Sequence, residues 1–281
     1  MWPYWLIFIC FSAAVFARGR LPAVQENWVW RFVTLVLVLW IGFRHEVGGD
    51  WFRYEMQFRQ FQTNSLYELV RTAKDPGYAI LGWMAAKAGW GIYALNLMCA
   101  VPLVVGVVRL ARKQPWPVLA LLVAVPYLLI VVGMGYTRQA AAIGCAMLGF
   151  VALGDQRLRV FVAWVLLAAM FHKTAVLLLP IAALASAKNR IWSYFWVGVL
   201  TLIGGWLFIF DTADVLVQNY VVSDYADAAQ GAEIRVLMNA IPALIMLMSS
   251  KRAFPEPTER KLWVWIAVLA LACIPLLPLS A

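Results

Sequence analysis

The sequence predicts an all-α, polytopic integral membrane protein. Three observations predict it. Of 281 residues, 64% are apolar and only 13% are charged, where a soluble domain is about half apolar and a quarter charged. The apolar residues come in long runs and do not alternate, which argues against a membrane β-barrel. Fifteen Trp residues suit a chain with many membrane–water boundaries. This composition excludes a soluble enzyme, a disordered chain and a nucleic-acid binder.

A spanning helix needs about 20 mostly apolar residues. Runs of that kind lie near 2–17, 28–43, 91–108, 116–133, 137–154, 191–210, 235–250 and 262–281. The stretch 77–90 carries Lys87 and Trp90 and reads as interfacial or partly embedded. A longer run, 160–187, is broken near its middle by Phe171-His172-Lys173-Thr174. With this segment counted as two arms, about 8–10 transmembrane segments are expected in a single domain covering 1–281.

Charge sets the orientation. Thirteen cations directly follow apolar runs: Arg18/Arg20, Arg109/Arg112/Lys113, Arg157/Arg159, Lys188/Arg190 and Lys251/Arg252/Arg260/Lys261. The positive-inside rule places them in the cytoplasm. Both flanks of the 160–187 run are then cytoplasmic, so it crosses an even number of times. A re-entrant or short-helix hairpin with His172 at its tip satisfies that, provided the tip is buried in protein. The outer face receives loops near 44–75 and 211–234, ten acidic residues, and the cations that break the rule, among them Arg44, Arg53, Arg138 and Lys173. Cations placed against the rule ask for a functional explanation.

Three segments at that face carry candidate chemistry. In Arg44-His45-Glu46-Val47-Gly48-Gly49-Asp50-Trp51-Phe52-Arg53-Tyr54, Gly48 and Gly49 allow a sharp turn and close backbone approach to a ligand. Arg44 and Arg53 have the forked donors that suit phosphate oxygens, and Asp50 is placed to accept a proton. The same segment also reads as a helix stop followed by an ion-paired loop. In Gly133-Met134-Gly135-Tyr136-Thr137-Arg138-Gln139, Arg138 and Gln139 open a helix of small residues (Ala140, Ala141, Ala142, Gly144) suited to close packing. A cation at a helix N-terminus is unfavourable unless an anion joins it; the alternative is an Arg138 that snorkels. The third segment is Phe171-His172-Lys173. An ionisable residue inside an apolar run is a functional candidate, and Lys173 either holds a phosphate or caps the turn. The four Cys lie in apolar runs without metal-ligand spacing. No Walker loop, HExxH, GxGxxG or nucleophile elbow is present, so neither a cofactor nor a metal is expected.

Taken in order, these segments resemble the EpsG-like family of Wzy-like transmembrane exopolysaccharide polymerases. The resemblance rests on Arg44, Gly48/Gly49, Asp50 and Tyr54 after the second helix, on Arg138-Gln139 opening a small-residue helix, and on Phe171-His172. It covers roughly residues 1–250. Family members usually continue with a further Asp-Arg and Tyr segment, so a shortened member or a missing C-terminus is expected. The resemblance implies joining of undecaprenyl-pyrophosphate-linked repeat units into exopolysaccharide or capsule at the outer face of the bacterial inner membrane. On that reading Arg44 and Arg138 hold the pyrophosphate, with Gly48, Gly49, Arg53, Tyr54, Gln139 and Lys173 also in the substrate site. Asp50 or His172 is the base, Asp50 slightly preferred. Expected partners are the lipid-linked glycan, the bilayer, a chain-length regulator and a flippase, and no nucleic acid. Alternatives are a lipid-linked glycan flippase or exporter, a membrane acyltransferase acting through His172, and a non-enzymatic envelope scaffold.

Overall fold

The computed structural model describes residues 2–17, 22–180 and 232–272, with isolated positions 195, 198, 199, 202, 203 and 274. The described residues form helices and no strand. The protein is an all-α membrane protein. Its helices are α1 (Trp2–Phe16), α2 (Ala23–Gly42), α3 (Trp51–Thr63), α4 (Leu66–Thr72), α5 (Pro76–Lys87), α6 (Gly91–Arg112), α7 (Pro117–Ala124), α8 (Gly133–Gly135), α9 (Thr137–Gly154), α10 (Leu158–Phe171), α11 (Ala232–Ala253) and α12 (Pro257–Ala272). Contacts group them into two units, Met1–Val151 with Ala163–Ala175, and Ala152–Val162 with Val176–Ala281. Every candidate site residue lies in the first. In the second, α11 and α12 pack on each other and Phe254 stacks on Trp263 at 5.8 Å.

Among the described residues three stretches are long and apolar enough to span a bilayer: α6, the continuous rod Pro117–Gly135, and α9. Shorter apolar helices cover Pro3–Phe16 and Leu158–Phe171. The rod joins α7 to α8 through a π-helical segment, Val125–Val132. Pro126 opens that segment; a proline has no N–H to give the preceding turn, and the ladder re-forms in a wider register. The expected run 191–210, the expected outer loop near 211–234 and the second arm of the hairpin beyond residue 180 lie largely outside the described residues.

Antiparallel packing of α2 on α6 builds much of the core. Arg112 at the end of α6 donates to Asn27 near the start of α2 at 2.6 Å, and Gly42 at the end of α2 abuts Leu97. The small residues that open α9 do what their size predicts. Ala140, Ala141 and Ala142 are buried, and a Cβ on Gly144 would run into the backbone of Pro102 in α6, as one on Gly106 would into Gly144. Backbones this close gain dispersion contacts over their whole length.

The segment 44–75, expected as an outer loop, is helical over most of its length. In α3 the buried residues Trp51, Tyr54, Phe58 and Phe61 recur at spacings of three and four, which makes one helical face. The opposite face carries Arg53, Arg59 and Gln60. A Ser65/Glu68 capping box starts α4: Glu68 N–H donates to Ser65 Oγ and Ser65 N–H to Glu68 Oε2. Asp75-Pro76 starts α5, proline standing at the first turn where its missing donor costs nothing. The interfacial stretch expected at 77–90 corresponds to α5 and the turn after it.

Candidate functional site

The site forms where the ends of α2, α8 and α10 meet the starts of α3, α5 and α9. Between α2 and α3 the chain makes a tight turn with Glu46 at φ 51° and Gly48 at φ 96°. Gly48 needs that conformation and also the space. A Cβ there would sit 2.6 Å from Gly135 Cα and 2.7 Å from the Met134 carbonyl oxygen. The turn is thereby pressed against the end of α8.

Arg44 leaves α2 and turns inward. It is 5% exposed. Its guanidinium donates to the Gly133 carbonyl at 3.2 Å, to Asn96 Oδ1 at 3.3 Å and to Thr137 Oγ1. One side chain thus ties together α2, α6, α8 and α9. All three acceptors are neutral, and among the described residues no carboxylate pairs with it and Nε has no partner. Burial lowers its pKa from the usual arginine value, with Tyr54, Tyr78 and Cys99 opposing. An arginine keeps its proton all the same, so a buried positive charge lies beneath the start of α9.

Arg138 does not snorkel. It donates to Asp75 Oδ2 at 2.6 Å, and Asp75 is itself only 9% exposed. The anion that an arginine at a helix N-terminus requires is supplied by the protein. The Arg138 guanidinium also lies 5.7 Å from the centre of the Tyr54 ring, in cation–π range, and Tyr54 packs on Tyr78 at 5.7 Å. Burial raises the Tyr54 pKa, and Arg138 works against that rise.

His172 sits at the break between α10 and a short 3₁₀ turn, Lys173–Leu178. Its N–H closes α10 on Ala168, and its carbonyl accepts from Ala175. Gly77 brings α5 against this break; a Cβ on Gly77 would lie 3.0 Å from Met170 Cβ. The charges of Asp75 and Arg138 both act on the half-buried imidazole. Burial lowers its pKa most; Asp75 raises it and Arg138 lowers it.

The remaining candidates lie around this cluster. Asp50 precedes α3, one turn before Tyr54, and its Oδ1 is 3.9 Å from Arg53. Arg53 is exposed, as are Gly49 and Gln139, and Lys173 is half-buried without an ion-pair partner among the described residues. A groove of about 540 Å³ runs along the rod. Gly48, Gly49, Gly135 and Tyr136 line one end, and Phe8 and Pro126 lie farther along it.

Residues 27–281 match the EpsG family. The chain belongs to that family. Membership points to a polymerase of exopolysaccharide synthesis. No curated protein and no solved structure matches the chain. The EpsG-family match runs to residue 281, past the limit near 250 set by the motifs alone, and takes in the three segments that compose the site. The cluster of Tyr54, Arg138 and His172 is completed by Asp75, the partner of Arg138, while Asn96 and Thr137 accept from the neighbouring Arg44. None of these three stood out in the sequence as a site residue. Asn96 had a signal, a lone amide in an apolar helix; Asp75 had a weaker one, an Asp-Pro helix start.

Proposed function

We propose that the protein polymerises lipid-pyrophosphate-linked oligosaccharide repeat units at the outer face of the bacterial inner membrane. The observation that carries this reading is the Arg138–Asp75 pair, which lies beside Tyr54 and whose charges act on His172, together with a buried Arg44 that no carboxylate pairs among the described residues. Formal charges in the pair cancel. Arg44 and Lys173 leave the neighbourhood net positive, which favours an anion.

In the proposed reaction His172 takes the proton of an acceptor sugar hydroxyl. The hydroxyl oxygen then bonds to the anomeric carbon of the donor glycan as the bond to pyrophosphate breaks. Arg138 reaches the leaving pyrophosphate, whose growing charge the field of Arg44 also stabilises. The apolar groove beside Gly48 and Gly135 takes the isoprenoid chain. His172 replaces Asp50 as the preferred base because it lies beside Asp75 and Arg138, whereas Asp50 faces Arg53.

A deletion strain is expected to accumulate single lipid-linked repeat units, seen by mass spectrometry of extracted lipids, and to make no long polymer. Longer glycans on the lipid without this gene would overturn the polymerase reading. Accumulation confined to the inner leaflet would point to a flippase.

The base assignment carries its own pH dependence. Burial holds the His172 pKa below the ordinary histidine range, so the imidazole is neutral and proton-accepting at neutral pH. Polymer formation by the purified protein is expected to be level at and above neutral pH and to fall as acid protonates the imidazole. His172→Gln is expected to be slow throughout and to lose that acidic limb. An unchanged acidic limb in the variant would assign the titration to another group.

A further inference from the structure

A second groove lies at the opposite end of the α2–α6 pair, away from the Arg138 cluster. The two helices run antiparallel, and the groove of about 610 Å³ follows their seam. At its head are Arg31, Arg109 and Arg112 with Asn27; farther along come Leu35, Val101 and Val105. From Arg112 to Val101 is eleven residues, roughly 16 Å of helix, about half the thickness of the hydrocarbon core. The groove as a whole therefore reaches about the depth of a single leaflet, cationic for its first turn or so and apolar for the roughly 12 Å that remain.

Among the described residues no carboxylate pairs with any of the three arginines. Arg112 donates to Asn27 at 2.6 Å and lies over Trp30 at 5.8 Å. Arg31 lies over Trp28 at 4.9 Å. Glu26, the one carboxylate of α2, accepts from the Trp30 indole at 3.2 Å, and α6 contains no acid. Arg31 and Arg109 have no ion-pair partner among the described residues. Arg31 stands two turns inside α2, a costly place for a cation without a counter-ion. The expected topology puts this end in the cytoplasmic leaflet, where anionic lipid gathers and basic pockets between helices bind its head groups.

We propose that this groove is a binding site for an anionic phospholipid. Arg31 and Arg109 hold the phosphate, and one acyl chain lies against Leu35, Val101 and Val105. A free phosphate would use the head of the groove and leave its apolar length empty, so the amphipathic lipid is the better fit.

The test uses the full-length protein purified in detergent, with binding followed by native mass spectrometry and by thermal melting. Phosphatidylglycerol is expected to bind and raise the Tm, and phosphatidylcholine with the same chains to do neither. Arg31→Gln with Arg109→Gln is expected to weaken phosphatidylglycerol binding by about tenfold or more. Leu35→Trp with Val101→Trp keeps every arginine, fills the exposed apolar part and is expected to lose the lipid too. Asp75→Ala with Arg138→Ala, which removes the substrate-site pair without stranding a charge, is expected to bind phosphatidylglycerol as the unaltered protein does, which separates this site from the substrate site. Equal protection by phosphatidylcholine, or unchanged binding in either double variant, would overturn the proposal. Glycerol phosphate binding as tightly as the lipid would also overturn it and make the groove a phosphate site.

Discussion

Arg138→Ala is expected to reduce polymer formation by about 10²-fold or more, the scale on which single donors to a developing anion act. Two effects fall on this residue. The substrate loses its guanidinium, and Asp75 loses the partner 2.6 Å away. An uncompensated buried carboxylate is costly, about 3–5 kcal/mol where a buried pair is broken on one side. Arg138 is a quarter exposed, so water relieves part of that cost. Folding and function are separable by a second variant. Asp75→Ala with Arg138→Ala removes both charges, and its behaviour in gel filtration and thermal melting is expected to return toward that of the unaltered protein, with polymer still absent. Arg138→Lys keeps the charge without the planar fork and is expected to fall between. Full-length polymer from the double variant would show that Arg138 serves only to satisfy Asp75.

The helical, membrane-bound character was legible because it rests on composition and run length, which every segment repeats. The site was legible in part, along a clear line. Arg138 stood out because a cation at a helix start is a local anomaly. His172 stood out because it breaks an apolar run. The partners of both are tertiary. Asp75 reaches Arg138 across 63 positions, and nothing near Asp75 in the sequence separates it from the other outer acids. In the segment 44–75 the spacing of Trp51, Tyr54, Phe58 and Phe61 was present to be read as one helical face. Interleaved charges and glutamines made it look like loop, since exposed and buried faces alternate within each turn. Gly48 was marked as a turn glycine, and the need for it at that place comes from Gly135, which lies 87 residues away.

Arg44 is the residue whose role the fold changes most, and Arg44→Met tests the change. The sequence offered it as a direct ligand of pyrophosphate. The fold buries it and directs its two terminal nitrogens to Gly133, Asn96 and Thr137. A methionine of similar length frees three buried acceptors, each worth about 1–3 kcal/mol when left unsatisfied. It also removes a buried charge that was itself costly to bury. The first effect is expected to win by about 2–4 kcal/mol, because the acceptors come from separate elements and cannot all re-pair with one another. Thermal melting in detergent is therefore expected to fall by several degrees. Polymer formation is expected to fall about tenfold or more, because Thr137 and Arg138 are adjacent and the start of α9 moves with both. Arg44→Lys keeps the charge with three donors on one nitrogen. If Arg44 acts through its charge, lysine restores most of the activity; if it acts by joining α6, α8 and α9, lysine restores little, since a single nitrogen cannot span acceptors that a planar fork reaches. The geometry, with two terminal nitrogens dividing three acceptors between them, favours the second result. An Arg44→Met protein as stable and active as the original would remove Arg44 from both roles.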